Sequence, residues 1–268
     1  MEGKRNFSIG EISEILNIPA STLRFWEEKG LFHIPKKENN YRSYSSMDLV
    51  QIAEIMFYRN LGMPVKRIND FLTAPLEEHE AFLHAVQQQL VDKIEEYQRM
   101  YQQICLQQAH FQTLIRLLEK PYTLEEIPFF YVAAWDFWEK DKLRRYIHDP
   151  ACYVWLRDTS SPDPGQKGII LDQPPAQGEA PLLWVKMDRR MFLTFPVHAE
   201  AEDNYEGVEA RDLIACAQEH CHTGLYMAQH LLTCNGKEYL KGYLEIRETP
   251  EKMEELCALL REEMEKEK

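Results

Sequence analysis

Between Glu77 and Glu119 the chain contains neither glycine nor proline. Apolar or aromatic residues recur along this run at Ile94, Tyr97, Tyr101, Ile104, Phe111, Ile115 and Leu118. Gln108 fills the remaining slot, so the steps alternate between three and four. This is a heptad seam sustained over more than three heptads. One helix over the stretch is about 60 Å long. A helix with a continuous apolar stripe is not stable alone in water, so the spacing predicts pairing with a second copy of the chain. The segments on either side must then fold as separate units attached to a rod.

A length of 268 residues suits two domains and a connector. The expected boundaries are 1–75, 76–120 and 121–268. No run approaches the roughly 20 apolar residues of a membrane span, and no apolar segment follows Met1–Arg5 as in a secretory signal. We therefore expect a soluble cytoplasmic protein without a membrane partner. The net charge of −13 argues against nucleic-acid binding only if taken globally. Residues 1–70 hold ten Lys and Arg against nine Asp and Glu, while the rest holds 21 against 35. The near-neutral segment is the one able to approach phosphate.

That segment reads as closely spaced helices. Ser8 and Glu11 form a capping box for a helix ending at Leu16. Asn17-Ile18-Pro19 makes a turn, with Pro19 at the first position of a second helix that closes at Gly30. The N-terminal residues of this second helix, Ser21, Thr22 and Arg24, are where a recognition helix meets base edges. Leu31 to Tyr44 is basic and aromatic, and Asn39-Asn40 can turn a hairpin. A third helix runs from Met47 to Leu61. A short fourth starts at Pro64 and carries Lys66 and Arg67.

The pieces SIGEISEILNI, TLRFWEEKGL, NNYRSYS and DLVQIAEIMFYRNLGMPVKRINDFL resemble the mercury-resistance-regulator (MerR) family of bacterial transcription regulators across residues 7–72. The family more often carries two tyrosines at Phe25-Trp26 and Asn-Gly at Asn39-Asn40. The resemblance implies an all-α winged helix-turn-helix and an antiparallel coiled coil through 76–120. It further implies a homodimer on double-stranded promoter DNA. There the spacer is too long for RNA polymerase, and an effector activates by distorting the DNA. Ser21, Thr22 and Arg24 would address bases or nearby phosphates. Lys36, Lys37, Tyr41, Arg42, Lys66 and Arg67 would hold the backbone. Trp26, through its indole N–H, and Tyr44 complete the expected DNA-binding set.

Beyond Pro121 and Pro128 the pattern changes to short strands and helices. Strands are expected near 129–137, 153–157, 182–187, 191–198, 225–234 and 238–248. Helices are expected at 139–147 and 208–221, and a last one opens at Pro250. Residues 159–180, rich in proline and glycine, read as a long loop. Asp188-Arg189-Arg190 joins two strands, and Asn235-Gly236 is a hairpin signal. The segment can be written as β-α-β-β twice, giving an α+β chain overall. This element order resembles the gyrase-inhibitor-like effector domain of multidrug-sensing members of the same family.

Four of the five tryptophans fall here. The expected ligand-binding residues are Tyr131, Trp135, Trp138, Trp155, Trp184, Tyr226, Tyr243 and Glu245. Alternation places Tyr239, Lys241, Tyr243, Glu245 and Arg247 on one face of the last strand. A carboxylate beside tyrosines suits a lipophilic cation, through cation–π attraction and charge compensation. The same carboxylate could instead pair with Lys241 or Arg247, and most aromatics in a small sheet domain are core. Six scattered cysteines lack a C-x-x-C pair. Cys216 and His220 supply half of a metal site without a second half, which leaves a metal-responsive regulator as an alternative. A hydrolase of small electrophiles with Glu245 or Glu238 as base is another. No nucleophile motif or phosphate loop supports an enzyme, and neither cofactor nor catalytic residue is expected.

Overall fold

The computed structural model describes residues 6–35, 42–136, 138–175, 180–199 and 208–266. Contacts divide the chain into two compact units, Met1–Gln98 and Arg99–Lys268.

In the first unit, α1 (Ile9–Leu16) begins with the expected capping box between Ser8 and Glu11. Asn17 takes a left-handed conformation and turns the chain into α2 (Ala20–Glu28), for which Pro19 is the cap residue rather than the first helical one. Ser45 and Asp48 form a second capping box opening α3 (Ser46–Asn60). Then follow α4 (Val65–Thr73) and α5 (Leu76–Glu119). Ile12, Leu23, Trp26, Tyr44, Ile52, Ile55 and Ile68 form one core. Phe7 and Tyr44 pair through two backbone hydrogen bonds of 2.7 and 2.8 Å, which pin the base of the segment between α2 and α3. The hairpin expected at Asn39-Asn40 lies outside the described residues.

The second unit holds the C-terminal part of α5 and an antiparallel sheet. Its strands are β1 (Thr123–Glu126), β2 (Tyr131–Ala134), β3 (Tyr153–Asp158), β4 (Gln166–Leu171), β5 (Leu182–Val185), β6 (Met191–Ala199), β7 (Thr223–Cys234) and β8 (Lys237–Ile246). The helices are α6 (Lys140–His148), α7 (Val208–His220) and α8 (Pro250–Lys266). The order across the sheet is β1-β6-β8-β7-β3-β4-β2-β5. Outward from the β7–β3 pair, each half runs second strand, third strand, first strand. The units β2-α6-β3-β4 and β6-α7-β7-β8 are thus the two expected repeats, with β1 and β5 added at the edges.

Two expectations about this segment need correction. Residues 159–180 are not all loop, because they contain β4, which pairs with both β2 and β3. β4, not the strand at 182–185, is the third strand of the first repeat. β5 and β6, although close in sequence, lie far apart in the sheet order and do not pair. Asn235 and Gly236, both at positive φ, make the tight β7–β8 turn as expected.

Along β8 the alternation holds. Leu240, Leu244 and Ile246 join the cluster that includes α7 and α8, while Tyr243 packs with Phe129, Phe192 and Met227. Burial of both clusters supplies the main stabilisation of the unit.

Candidate functional site

Three features of the described residues bear on function: the exposed end of α2, the outer face of α5, and a pocket in the second unit.

At the start of α2, Ser21 and Arg24 are exposed and Thr22 is half-buried. Helical spacing turns Leu23 and Trp26 inward, which fixes the rotation of the helix and sends Ser21 and Arg24 outward. Lys66 and Arg67 are exposed in the first turn of α4. Arg42 pairs with Glu27 of α2 at 2.8 Å, tying the chain just before α3 to that helix. Lys36, Lys37 and Tyr41 lie outside the described residues. Trp26 and Tyr44 do not face solvent: Trp26 is 5% exposed and Tyr44 is fully buried. Both rings fill the core, where aromatic burial outweighs an outward hydrogen bond.

Among the described residues most of the seam of α5 stays uncovered, with Ile115 half-buried near its end. Ile94, Tyr97, Tyr101, Ile104 and Phe111 are all at least half exposed, Tyr101 at 70%. Leu114 and Leu117, on the flank of the helix beside the seam, pack against Leu231.

In the second unit a cavity of about 280 Å³ is lined by Ile127, Trp184, Val185, Lys186, Met187, Asp188, Arg190, Phe192, Leu225, Glu245 and Arg247. Glu245 sits at its base. A register shift between Thr223 and Tyr226 sets Gly224 and Leu225 opposite this one residue. The bulge frees the Leu225 N–H, which donates to Glu245 Oε2 at 3.0 Å. Arg247 donates to the same oxygen at 3.1 Å, and Arg190 donates to Oε1. Arg190 is held from its other side by Asp188 at 2.9 Å. Burial raises the pKa of the Glu245 carboxyl, but the bonds from Leu225, Arg190 and Arg247 outweigh it and hold the group below its ordinary value. The sequence suggested a carboxylate open to a cation; in the structure this carboxylate is already clamped by two guanidinium groups. Lys241, the other partner considered for it, binds Glu125 at 2.5 Å.

Of the expected ligand residues, the cavity gathers Trp184 and Glu245. Tyr243 lies next to it through Phe129, whose ring meets Trp184 at 5.7 Å and Tyr243 at 6.1 Å. Tyr243 lines a second cavity of about 610 Å³, with Lys241, Gln229 and the end of α5. Its hydroxyl donates to Gln229 at 3.1 Å. The other aromatics are elsewhere. Trp155 and Tyr226 meet in the core at 5.9 Å. Trp135 packs with Tyr146 and Tyr153. Trp138 is 88% exposed, and Tyr131 is half-buried on β2. Sequence reasoning missed Arg190, Lys186 and Phe192. Arg190 was visible only as part of a turn, because its meeting with Glu245 depends on the β6–β8 pairing.

Among the described residues no group of three His, Cys, Asp or Glu side chains could hold a metal ion. Burial pushes the Cys216 thiol up to about 11, with Glu263 adding to the shift, and His220 points to solvent. No described helix is long and apolar enough to cross a membrane.

The family model for the MerR HTH family regulatory protein matches residues 7–74. Over 97 residues the chain is 28% identical to the HTH-type transcriptional activator TipA of Streptomyces coelicolor, covering 35% of this chain and 38% of TipA. Over 121 residues it is 29% identical to the Multidrug-efflux transporter 2 regulator of Bacillus subtilis, covering 44% of this chain and 41% of that protein. The chain thus spans about two fifths of the length of these curated relatives. Among solved structures, the N-terminus of MtaN, the Bacillus subtilis multidrug transporter activator, is 24% identical with a TM-score of 0.34. That alignment covers 37% of this chain and 93% of that one.

Proposed function

Residues 7–74 are a MerR-family helix-turn-helix domain, and from that premise we propose that the protein is a ligand-responsive DNA-binding transcription regulator. It works as a homodimer paired along the exposed seam of α5. Each copy sets one α2 into the major groove of a two-fold promoter site. Ser21, Thr22 and Arg24 read or approach bases, while Lys36, Lys37, Tyr41, Lys66 and Arg67 hold phosphates. Arg42 ties the chain just before α3 to α2 through Glu27. An effector entering the cavity beside Trp184 and Glu245 changes the dimer so that the DNA between the half-sites is distorted. The two elements of a promoter with an overlong spacer then align for RNA polymerase. The energetics are those of DNA deformation, which is sequence-dependent without base contacts.

The observation that carries this reading is the match of residues 7–74, together with the outward-facing polar positions of α2 on a helix rotated by Leu23 and Trp26. The α5 helix runs unbroken from Leu76 to Glu119, from one unit into the other, and offers the physical link. The curated relatives are named as transcription regulators, and no catalytic role is assigned to Glu238 or Glu245.

The test is Arg67→Ala measured by fluorescence anisotropy on a bound DNA duplex across a salt series. Loss of one phosphate contact in each protomer weakens binding to all sequences and makes the salt slope shallower by about two. Unchanged affinity and slope would remove Arg67 from the interface.

A further inference from the structure

What the cavity displays to a ligand is not the Glu245 carboxylate. The Glu245 side chain is 4% exposed, whereas those of Arg190 and Arg247 are 54% and 53% exposed. Both carboxylate oxygens are occupied, one by Arg190 and the other by Arg247 and the Leu225 N–H. A cation reaching for Glu245 would have to displace a guanidinium that is already bonded. It would also approach three like charges, Lys186, Arg190 and Arg247, against one exposed carboxylate, Asp188, that is already bonded to Arg190.

A guanidinium carries five N–H donors in a fixed fork. Arg247 spends one terminal nitrogen on Glu245, and half of its side chain still faces solvent at the cavity. The Glu245 clamp holds this guanidinium in place, so little side-chain entropy remains to be lost when a ligand arrives. Trp184 and Phe192 line the same cavity and provide apolar and aromatic walls. Its volume of about 280 Å³ fits a body of one or two fused rings.

We propose that this cavity takes an amphiphilic anion, a planar apolar body bearing a carboxylate or sulfonate, with the anionic group on Arg247 and Arg190 and the rings against Trp184 and Phe192. Glu245 is then a positioning residue that orients both arginines and does not touch the ligand. The inference rests on the effector-pocket reading above and assigns it a ligand class.

The experiment is isothermal titration of the full chain with three probes of one shape: 2-naphthoate, 2-naphthamide and (2-naphthylmethyl)trimethylammonium. Naphthoate is expected to bind at least tenfold more tightly than either of the others. In Arg247→Gln that preference falls by at least tenfold, while binding of the amide is unchanged. In Arg247→Gln the Leu225 N–H and Arg190 still bond Glu245; Arg247→Lys, keeping charge but not the fork, is expected to lose part of the preference. Tighter binding of the ammonium or of the amide overturns the anion assignment and leaves the cavity as an effector site. Absence of binding by all three, in protein that still binds DNA, overturns both the assignment and the cavity as effector site.

Discussion

Gly224 lies directly against the carboxylate of Glu245: a Cβ at position 224 would fall 2.1 Å from Oε2 and 2.6 Å from Arg247 Nε. The bulge in β7 needs a residue without a side chain here, because the clamp occupies the space one would take. Gly224→Ala must therefore push Glu245 or Arg247 out of place, at a cost of about 1–3 kcal/mol. Thermal unfolding of the variant checks the cost. Ligand titration checks the clamp, and the expected result is weakened binding with DNA affinity unchanged.

Burial of His230 in β7 gives a pH dependence with a definite sign. Desolvation, and to a lesser degree nearby His110, lowers its pKa from the ordinary 6.5 to about 4, against the opposing pull of Asp149. The unfolded chain takes up this proton near the ordinary value and the folded chain does not. Stability is therefore full above about 6.5 and is lost as pH falls toward 4. From pH 7 to pH 5 this one group accounts for about 2 kcal/mol. Denaturant unfolding of His230→Gln at the two pH values is expected to show a correspondingly smaller drop than the parent chain. An equal drop would mean that His230 is protonated in the folded state.

Trp26 and Arg24 sit two residues apart on α2 and should fail in different ways. Trp26→Ala removes a core ring and is expected to destabilise the first unit by about 3–5 kcal/mol. Arg24→Ala leaves stability within about 0.5 kcal/mol, as for an exposed helix residue, and weakens DNA binding. Circular dichroism melts together with anisotropy separate the two effects.

The seam of α5 predicts its own disruption. Ile104 and Tyr101 are 58% and 70% exposed in the single chain. Ile104→Glu with Tyr101→Glu places charge on the apolar stripe, and sedimentation equilibrium is expected to show monomer where the parent chain is dimer. A monomeric parent chain would contradict pairing along this face.

Much of the first unit was legible because its signals are local. The Ser8/Glu11 capping box, the Asn17 turn and the heptad steps of α5 each act within a few residues. The β7–β8 hairpin was equally plain from Asn235-Gly236. The second unit was harder. β4 hid in a glycine-rich stretch because those glycines serve long-range packing: a Cβ at Gly165 would fall 1.9 Å from the Trp155 ring, and one at Gly168 would fall 2.4 Å from Val132. Counting aromatics could not separate Trp184, on the cavity, from Trp155 and Tyr226, in the core. Which face a ring takes is set by partners tens of residues away. The clamp on Glu245 was half legible for the same reason: Arg247, two residues away, was visible as a partner. Glu245 was visible in sequence, but Arg190 reaches it only once β6 has paired with β8.

The most direct test of the central claim, a dimeric reader of two-fold DNA, is selection of binding sites from random duplex DNA by the full chain. The account predicts enrichment of an inverted repeat whose half-sites bind cooperatively, lost in Arg24→Ala. Enrichment of no sequence, or of a single half-site bound by one protomer, would contradict it.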